Sequence, residues 1–214
     1  MSRVAIKICG VKNAEAIDAA AHGGASHIGF NFFPKSPRYL TPQQLVLLAP
    51  RVPPTIKRVA ILVGPDDALV EALLATRSLD ALQLHGKETP ERVAQLKTRT
   101  GLDIWKVVSV KTDADLAAGT AYTGAADFLL YDAKTPDGAV LPGGMGQRFD
   151  WSLLAAHRPP LPWGLSGGLD PDNVADAIAR TNAPLVDVSS GIESAPGVKD
   201  VGRIAAFCRA AGAG

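Results

Sequence analysis

Short apolar runs alternate with longer amphipathic stretches along the 214 residues of the chain. The apolar runs are rich in Val, Ile and Leu, which is typical of strands covered on both faces. The pattern predicts eight strands. They are Val4–Cys9, His27–Phe32, Lys57–Val63, Ala81–Leu84, Ile104–Val108, Phe128–Tyr131, Leu161–Leu165 and Leu185–Val188.

The stretches between the strands carry helix signals. Ala14–Ala21 is alanine-rich and ends before Gly23 and Gly24, which suit a helix C-terminus. Thr41 followed by Pro42 resembles an N-cap with proline at the first helical position. The other predicted helices are Pro65–Leu74, Thr89–Leu96, Asp113–Ala118, Trp151–His157, Pro171–Arg180 and Val198–Ala211.

Eight strand–helix units in regular order predict an α/β fold, a single-domain (β/α)8 TIM barrel over residues 1–214. A doubly wound open sheet is the alternative architecture. No linker marks a second domain. In a barrel, chemistry collects on the loops at the carboxyl ends of the strands, so the functional residues are expected at those ends.

Composition and charge narrow the classes of function. The chain is 47% hydrophobic and 20% charged with a net charge of +1, which is typical of a globular protein and unsuited to nucleic acid. No apolar stretch approaches the roughly 20 residues that span a bilayer, so no membrane association is expected. The N-terminus lacks the pattern of a signal peptide, and we expect a cytoplasmic protein.

Two cysteines leave several alternatives. A disulfide between Cys9 and Cys208 is not expected in the cytosol. Cys208 follows Val201, Ile204 and Ala205 at helical spacing, which predicts that it faces the core. Without a CxxC motif and with four scattered histidines, no metal site is expected.

The first predicted strand ends at a thiol. Side chains alternate along a strand, so Lys7 and Cys9 share one face and Ile6 and Ile8 share the other. The isoleucines would pack on helices, and Cys9 would lie at the barrel mouth beside an ammonium group that favours a thiolate. Position alone leaves packing and catalysis equally open for Cys9.

Three further strand ends carry polar groups. Pro34 and Pro37 stiffen the loop that leads to Arg38, whose guanidinium can hold a carboxylate with two hydrogen bonds; a solvated arginine is the alternative. His85 follows the fourth strand and either shapes the rim, which we favour, or transfers protons. Asp132 follows the sixth strand, with a turn cap as the alternative.

A glycine-rich segment follows Asp132. It runs from Lys134 to Arg148 and predicts a lid over the site, with a plain flexible loop as the alternative. Its glycines are Gly138, Gly143, Gly144 and Gly146.

Glycine and serine mark the ends of the last two strands. Gly167 and Gly168 follow the seventh strand, and Ser189, Ser190 and Gly191 follow the eighth. The loops after these two strands form the phosphate site of many barrels, where backbone N–H groups approach the anion closely. The predicted substrate is therefore a phosphorylated small molecule.

These strand ends match one family nearly end to end. The matching stretches are KICGV (7–11), GFNFFPKSPRYL (29–40), QLHG (83–86), YDAK (131–134), GGMGQRFDW (143–151), LSGGLDPDNV (165–174) and VDVSSGIESAPGVKD (186–200). In their order and placement they resemble the phosphoribosylanthranilate isomerase family of tryptophan biosynthesis. The resemblance implies a (β/α)8 barrel that works without metal or organic cofactor, as a monomer or a homodimer.

The resemblance also implies a reaction and its residues. The family converts N-(5-phosphoribosyl)anthranilate to 1-(2-carboxyphenylamino)-1-deoxyribulose 5-phosphate by an Amadori rearrangement. By analogy Cys9 is the general base, Asp132 the protonated general acid, and Arg38 the contact of the anthranilate carboxylate. Lys7 and His85 are further expected substrate-binding residues, and the two glycine loops hold the phosphate.

Two departures and two alternatives remain. Met145 stands where a threonine or serine is expected. Some relatives have an aspartate nearer the position of Tyr131, so Asp137 is the fallback for the acid. The sister isomerase of the histidine pathway typically has an aspartate where Cys9 stands. A metabolite-sensing barrel would keep the glycine loops without needing Cys9 and Asp132 together.

Overall fold

The structure is a computed structural model that describes residues 4–135, 141, 143–144 and 146–212. Eight parallel strands follow one another in sequence order and close into a barrel, so the predicted barrel is confirmed and the open sheet is wrong. The strands are β1 (Ala5–Cys9), β2 (His27–Asn31), β3 (Lys57–Leu62), β4 (Ala81–Leu84), β5 (Asp103–Val110), β6 (Phe128–Ala133), β7 (Trp163–Leu165) and β8 (Leu185–Val188).

Helices pack on the outside of the barrel, and their ends follow the predicted capping signals. Thr41 and Gln44 form a reciprocal capping box, and Gly24 takes the left-handed conformation after the first helix. No helix of the described residues is long and apolar enough to cross a membrane. The α-helices are α1 (Ala14–His22), α2 (Pro42–Leu48), α3 (Asp67–Ala75), α4 (Pro90–Thr100), α5 (Asp113–Ala117), α6 (Ser152–Ala155), α7 (Val174–Thr181) and α8 (Val201–Gly212).

The largest difference from the predicted elements follows β8. Val198 was expected to begin the last helix, but that helix begins at Val201. Instead β9 (Glu193–Ala195) and β10 (Val198–Lys199) pair as a short antiparallel hairpin outside the barrel. The predicted helix boundary was wrong because apolar residues at helical spacing do not reveal a two-residue strand whose partner is local.

Alternation along β1 decides what faces the barrel interior. Ile6 and Ile8 point outward into the core shared with the helices, whereas Lys7 and Cys9 point inward, as predicted. The barrel closes where β1 pairs with β8, in a register that sets Lys7 opposite Asp187. Below them an apolar cluster fills the interior, formed by Val59, Ala81, Trp105, Val107, Leu130 and Leu185.

Cys208 takes its predicted place in the core. It is buried on α8 and faces α1, where a Cβ on Gly23 would lie 2.7 Å from its Sγ. Only glycine fits at that position, so the two terminal helices approach closely there.

A cluster of three aromatic rings lies at the amino ends of the barrel strands. The ring of His27 packs edge-on against Trp105, with 5.1 Å between the centroids, and Trp105 stacks on Phe128 at 4.4 Å. Burial, helped by Lys7 and Lys57, lowers the pKa of His27 to about 4. The neutral imidazole is therefore the form that the folded protein accommodates.

We expect acid to destabilise the protein through His27. The unfolded histidine binds a proton below about pH 6.5, whereas the folded one resists protonation down to about pH 4. The stability that neutral His27 contributes is complete above the unfolded pKa and is lost as the pH falls. The loss is about 2 kcal/mol near pH 4.5. Urea unfolding should show a smaller loss of stability between neutral pH and this acid pH for His27→Gln than for wild type. Equal losses in the two proteins would contradict the assignment.

Candidate active site

A cavity opens at the carboxyl ends of the barrel strands, where the sequence placed the chemistry. Of the predicted site residues, eight line it and two, Lys7 and Gly191, do not. The eight are Cys9, Arg38, His85, Asp132, Gly167, Gly168, Ser189 and Ser190. The barrel thus brings residues from six of its strand ends to one space.

Cys9 is a buried free thiol on the cavity wall. Three charged groups act on it, namely Lys7 on its own strand, Asp187 on β8 and Lys199 on β10. Burial, followed by the Asp187 carboxylate, raises the pKa of Cys9 and outweighs the two ammonium groups, which act to lower it. Lys7 therefore works in the predicted direction, but the net shift is towards the neutral thiol.

Lys7 lies beneath the cavity and is fully buried. Its Nζ donates to Asp187 Oδ1 at 2.7 Å, and Ser166 Oγ donates to the other oxygen of Asp187 at 3.1 Å. Burial acts to lower the pKa of Lys7, but the carboxylate of Asp187 and the nearby Cys9 overcome it, and the pKa is raised. Lys7 does not line the cavity, so it would act on a substrate through Asp187 or Cys9.

Asp132 lies within β6 and not just after it, because β6 continues two residues past its predicted end alongside β5. The carboxyl group is buried, and its Oδ1 accepts a hydrogen bond from the N–H of Ala133 at 2.9 Å. Its Oδ2 lies 3.2 Å from His85 Nε2, in a contact without hydrogen-bond geometry. A carboxyl and an imidazole therefore share one side of the cavity.

Arg38 is a buried arginine, so the alternative of a solvated side chain is wrong. Its Nε and Nη2 each donate to one oxygen of Glu193 at 2.8 Å. Nη2 also donates to the carbonyl of Gly144 at 3.2 Å. The guanidinium plane is consequently held at the cavity edge by a bidentate ion pair.

The loops after β7 and β8 bring backbone close to the cavity. Gly167 and Gly168 both have positive φ, +92° and +64°. A Cβ on Gly167 would lie 2.6 Å from the N of Ala133, and one on Gly168 would lie 2.7 Å from the O of Gln147, so neither position tolerates a side chain. Gly191 is equally crowded, since a Cβ there would collide with the carbonyl of Leu169.

The described part of the predicted lid crosses the cavity. A Cβ on Gly143 would come within 2.6 Å of both Asp132 Oδ2 and His85 Cε1, and Gly144 lies over Arg38. The other lid residues, 136–140, 142 and 145, lie outside the described residues, and with them the fallback acid Asp137, Gly138 and Met145.

Sequence reasoning missed several polar residues around the cavity. Glu193 and Lys199 sit on the unpredicted hairpin and form a buried ion pair at 2.8 Å. Gln83 and Ser166 line the cavity from β4 and the end of β7. Alternation along β4 puts Gln83 on the same face as His85, which predicted its place at the barrel mouth but gave it no role in the site. No cluster of three or more His, Cys, Asp or Glu suited to a metal occurs among the described residues.

A parallel barrel that gathers a thiol, a buried carboxyl and glycine loops at its carboxyl end has the organisation of a (β/α)8-barrel enzyme. The sequence model of the N-(5'phosphoribosyl)anthranilate (PRA) isomerase family matches residues 6–210. The N-(5'-phosphoribosyl)anthranilate isomerase of Paracoccus denitrificans (strain Pd 1222) is 54% identical over 204 residues, which cover 95% of each chain. The chain therefore belongs to the N-(5'-phosphoribosyl)anthranilate isomerase family.

Solved structures agree with this membership. The phosphoribosyl anthranilate isomerase from Thermotoga maritima superimposes with a TM-score of 0.87 at 36% identity, covering 97% of this chain and 98% of that one. A phosphoribosyl anthranilate isomerase in complex with reduced 1-(o-carboxyphenylamino)-1-deoxyribulose 5-phosphate gives a TM-score of 0.84 at 33% identity, with the same coverage. Family membership decides against the histidine-pathway alternative.

The Cys9 thiol should ionise at a higher pH than a free cysteine, whose pKa is about 8.5, because burial and Asp187 outweigh the nearby ammonium groups. The measurement is an ultraviolet titration of thiolate absorbance, taken as the difference between wild type and Cys9→Ala so that Cys208 and the tyrosines cancel. A midpoint at or below that of free cysteine would show that the ammonium groups of Lys7 and Lys199 outweigh burial and Asp187.

Proposed function

We propose that the chain converts N-(5'-phosphoribosyl)anthranilate to 1-(2-carboxyphenylamino)-1-deoxyribulose 5-phosphate in tryptophan biosynthesis, with Cys9 as general base and Asp132 as general acid. The observation that carries this proposal is that a thiol and a buried carboxyl line one cavity from different strands, next to two glycine loops. A related structure is described as a complex with a reduced form of this product, which supports the choice of ligand.

Formation of the enolamine needs one proton delivered and one removed. Asp132 gives a proton to the ribose ring oxygen as the C1–O bond breaks, and the nitrogen lone pair forms the Schiff base. Cys9 then takes the proton from sugar C2, which yields an enolamine. Protonation at C1 and loss of the hydroxyl proton give the ketone. Proton transfers by positioned groups are worth about 10²- to 10⁴-fold in rate.

Arg38 and the two glycine loops line the same cavity and suit the two charged groups of this substrate. Arg38 would take the anthranilate carboxylate, and the loops carrying Gly167, Gly168 and Ser190 would take the phosphate through backbone N–H groups. His85, which touches Asp132, would orient the acid. No step uses a metal or cofactor. A cytoplasmic location and a monomeric or homodimeric state stay predictions.

Removing either proton-transfer group should abolish most turnover while substrate still binds. We expect Cys9→Ala and Asp132→Asn each to lower kcat by about 10²- to 10⁴-fold, followed by the change in anthranilate fluorescence. Cys208→Ala is the matched control, because it removes the other thiol, which is buried on α8 away from the cavity lining. Wild-type turnover in Cys9→Ala would rule out the thiol as base.

Loss of the Arg38 guanidinium should weaken the binding of substrate. Arg38→Met should raise KM by about 10- to 100-fold, since hydrogen bonds between charged groups contribute about 1.5–3 kcal/mol, and should change kcat much less. Arg51→Met, which removes an exposed arginine paired with Asp18, serves as control. An unchanged KM in Arg38→Met would remove Arg38 from the substrate site.

A further inference from the structure

A buried chain of charges connects the β2 loop to the β9–β10 hairpin. Glu193 accepts two hydrogen bonds from Arg38 and one from Lys199 Nζ, each at 2.8 Å. The three side chains are at most 7% exposed. Buried ions are tolerated only when they are paired and hydrogen-bonded, so one carboxylate here serves two cations.

At its other end, this network of charges reaches the predicted phosphate loop and, through Ser189, the backbone of Cys9. Lys199 Nζ donates to the carbonyl of Ser189 at 2.9 Å and approaches its Oγ at 3.3 Å. Ser189 Oγ donates to the carbonyl of Cys9 at 3.2 Å. Neither Glu193 nor Lys199 lines the main cavity, so both act through residues that do.

The hairpin itself is fixed in place. Arg203 Nη1 donates to the backbone carbonyl of Glu193 at 3.0 Å from α8. Gly197, at φ +79°, lies so close to the carbonyl of Pro37 that a Cβ would collide with it. Lys12 Nζ donates to that same carbonyl at 2.8 Å. The charges on the hairpin therefore sit on a rigid support that contacts the loop preceding Arg38.

We propose that Glu193 and Lys199 are positioning residues, which hold Arg38, Ser189 and Cys9 in register around one substrate. This inference rests on the function proposed above. Glu193 orients the guanidinium before the substrate arrives, which spares the entropy of ordering it at binding. Lys199 ties the start of the phosphate loop to the strand end that carries the thiol and adds a positive charge near it.

Glu193→Gln tests the orientation of Arg38. It keeps the size of the side chain and one acceptor but loses the bidentate pair, so we expect KM to rise about 3- to 10-fold, the cost of ordering one long side chain, with kcat little changed. Asp80→Asn is the matched control, because Asp80 holds Arg58 through two side-chain contacts of 2.9 and 3.2 Å at the amino end of the barrel. An unchanged KM in Glu193→Gln, or an equal rise in Asp80→Asn, overturns the inference.

Lys199 is tested by a pair of variants that also decides the case if Glu193→Gln fails to fold. The charged groups facing Cys9 are Lys7, Asp187 and Lys199. Lys199→Met should move the rising limb of the kcat–pH profile to higher pH, whereas Lys199→Arg should retain the wild-type profile. Identical profiles for both variants would reduce Lys199 to a purely structural role and overturn the inference.

Wild-type turnover distinguishes failure of the positioning role from failure of the proposed function. If the wild-type protein converts the substrate and the variants behave like wild type, only the positioning role fails. If the wild-type protein does not convert it, the proposed function fails and the positioning role fails with it.

Discussion

The buried ion pair between Lys7 and Asp187 is the interaction on which the site depends. It joins residues 180 positions apart in sequence, at the seam where β1 meets β8 and the barrel closes. A buried ammonium needs a partner, and removing one member of such a pair leaves an uncompensated charge. Asp187 also accepts from Ser166, so three strand ends are held together beneath the thiol of Cys9.

The same pair shapes the chemistry above it. Burial raises the pKa of Cys9 most, Asp187 raises it further, and Lys7 acts to lower it. The thiol on the cavity wall is thus subject to opposing charges, and the effects that favour its neutral form prevail. At the rim, Arg38 and Lys199 likewise share one buried carboxylate, that of Glu193. Fixed, paired charges leave little to reorganise when substrate binds.

Much of this arrangement could be predicted from sequence, because it depends on local patterns. Apolar runs located the eight strands, and alternation put Cys9 on the inner face of β1. The partners could not be predicted. Arg38 and Glu193 are 155 residues apart, and Glu193 lies in a hairpin too short to give a periodic signal. The upward shift in the pKa of Cys9 also needed the fold, since burial sets it and a neighbouring lysine alone suggests the opposite.

The chemistry assigned to this cavity is an Amadori rearrangement of a phosphoribosyl amine of anthranilate. The most direct measurement is incubation of the purified wild-type protein with N-(5'-phosphoribosyl)anthranilate, with the products resolved by chromatography and mass. We expect rapid, metal-independent conversion to an isomer of unchanged mass that resists hydrolysis back to anthranilate. Decay to anthranilate and ribose 5-phosphate at the rate seen without protein would contradict it.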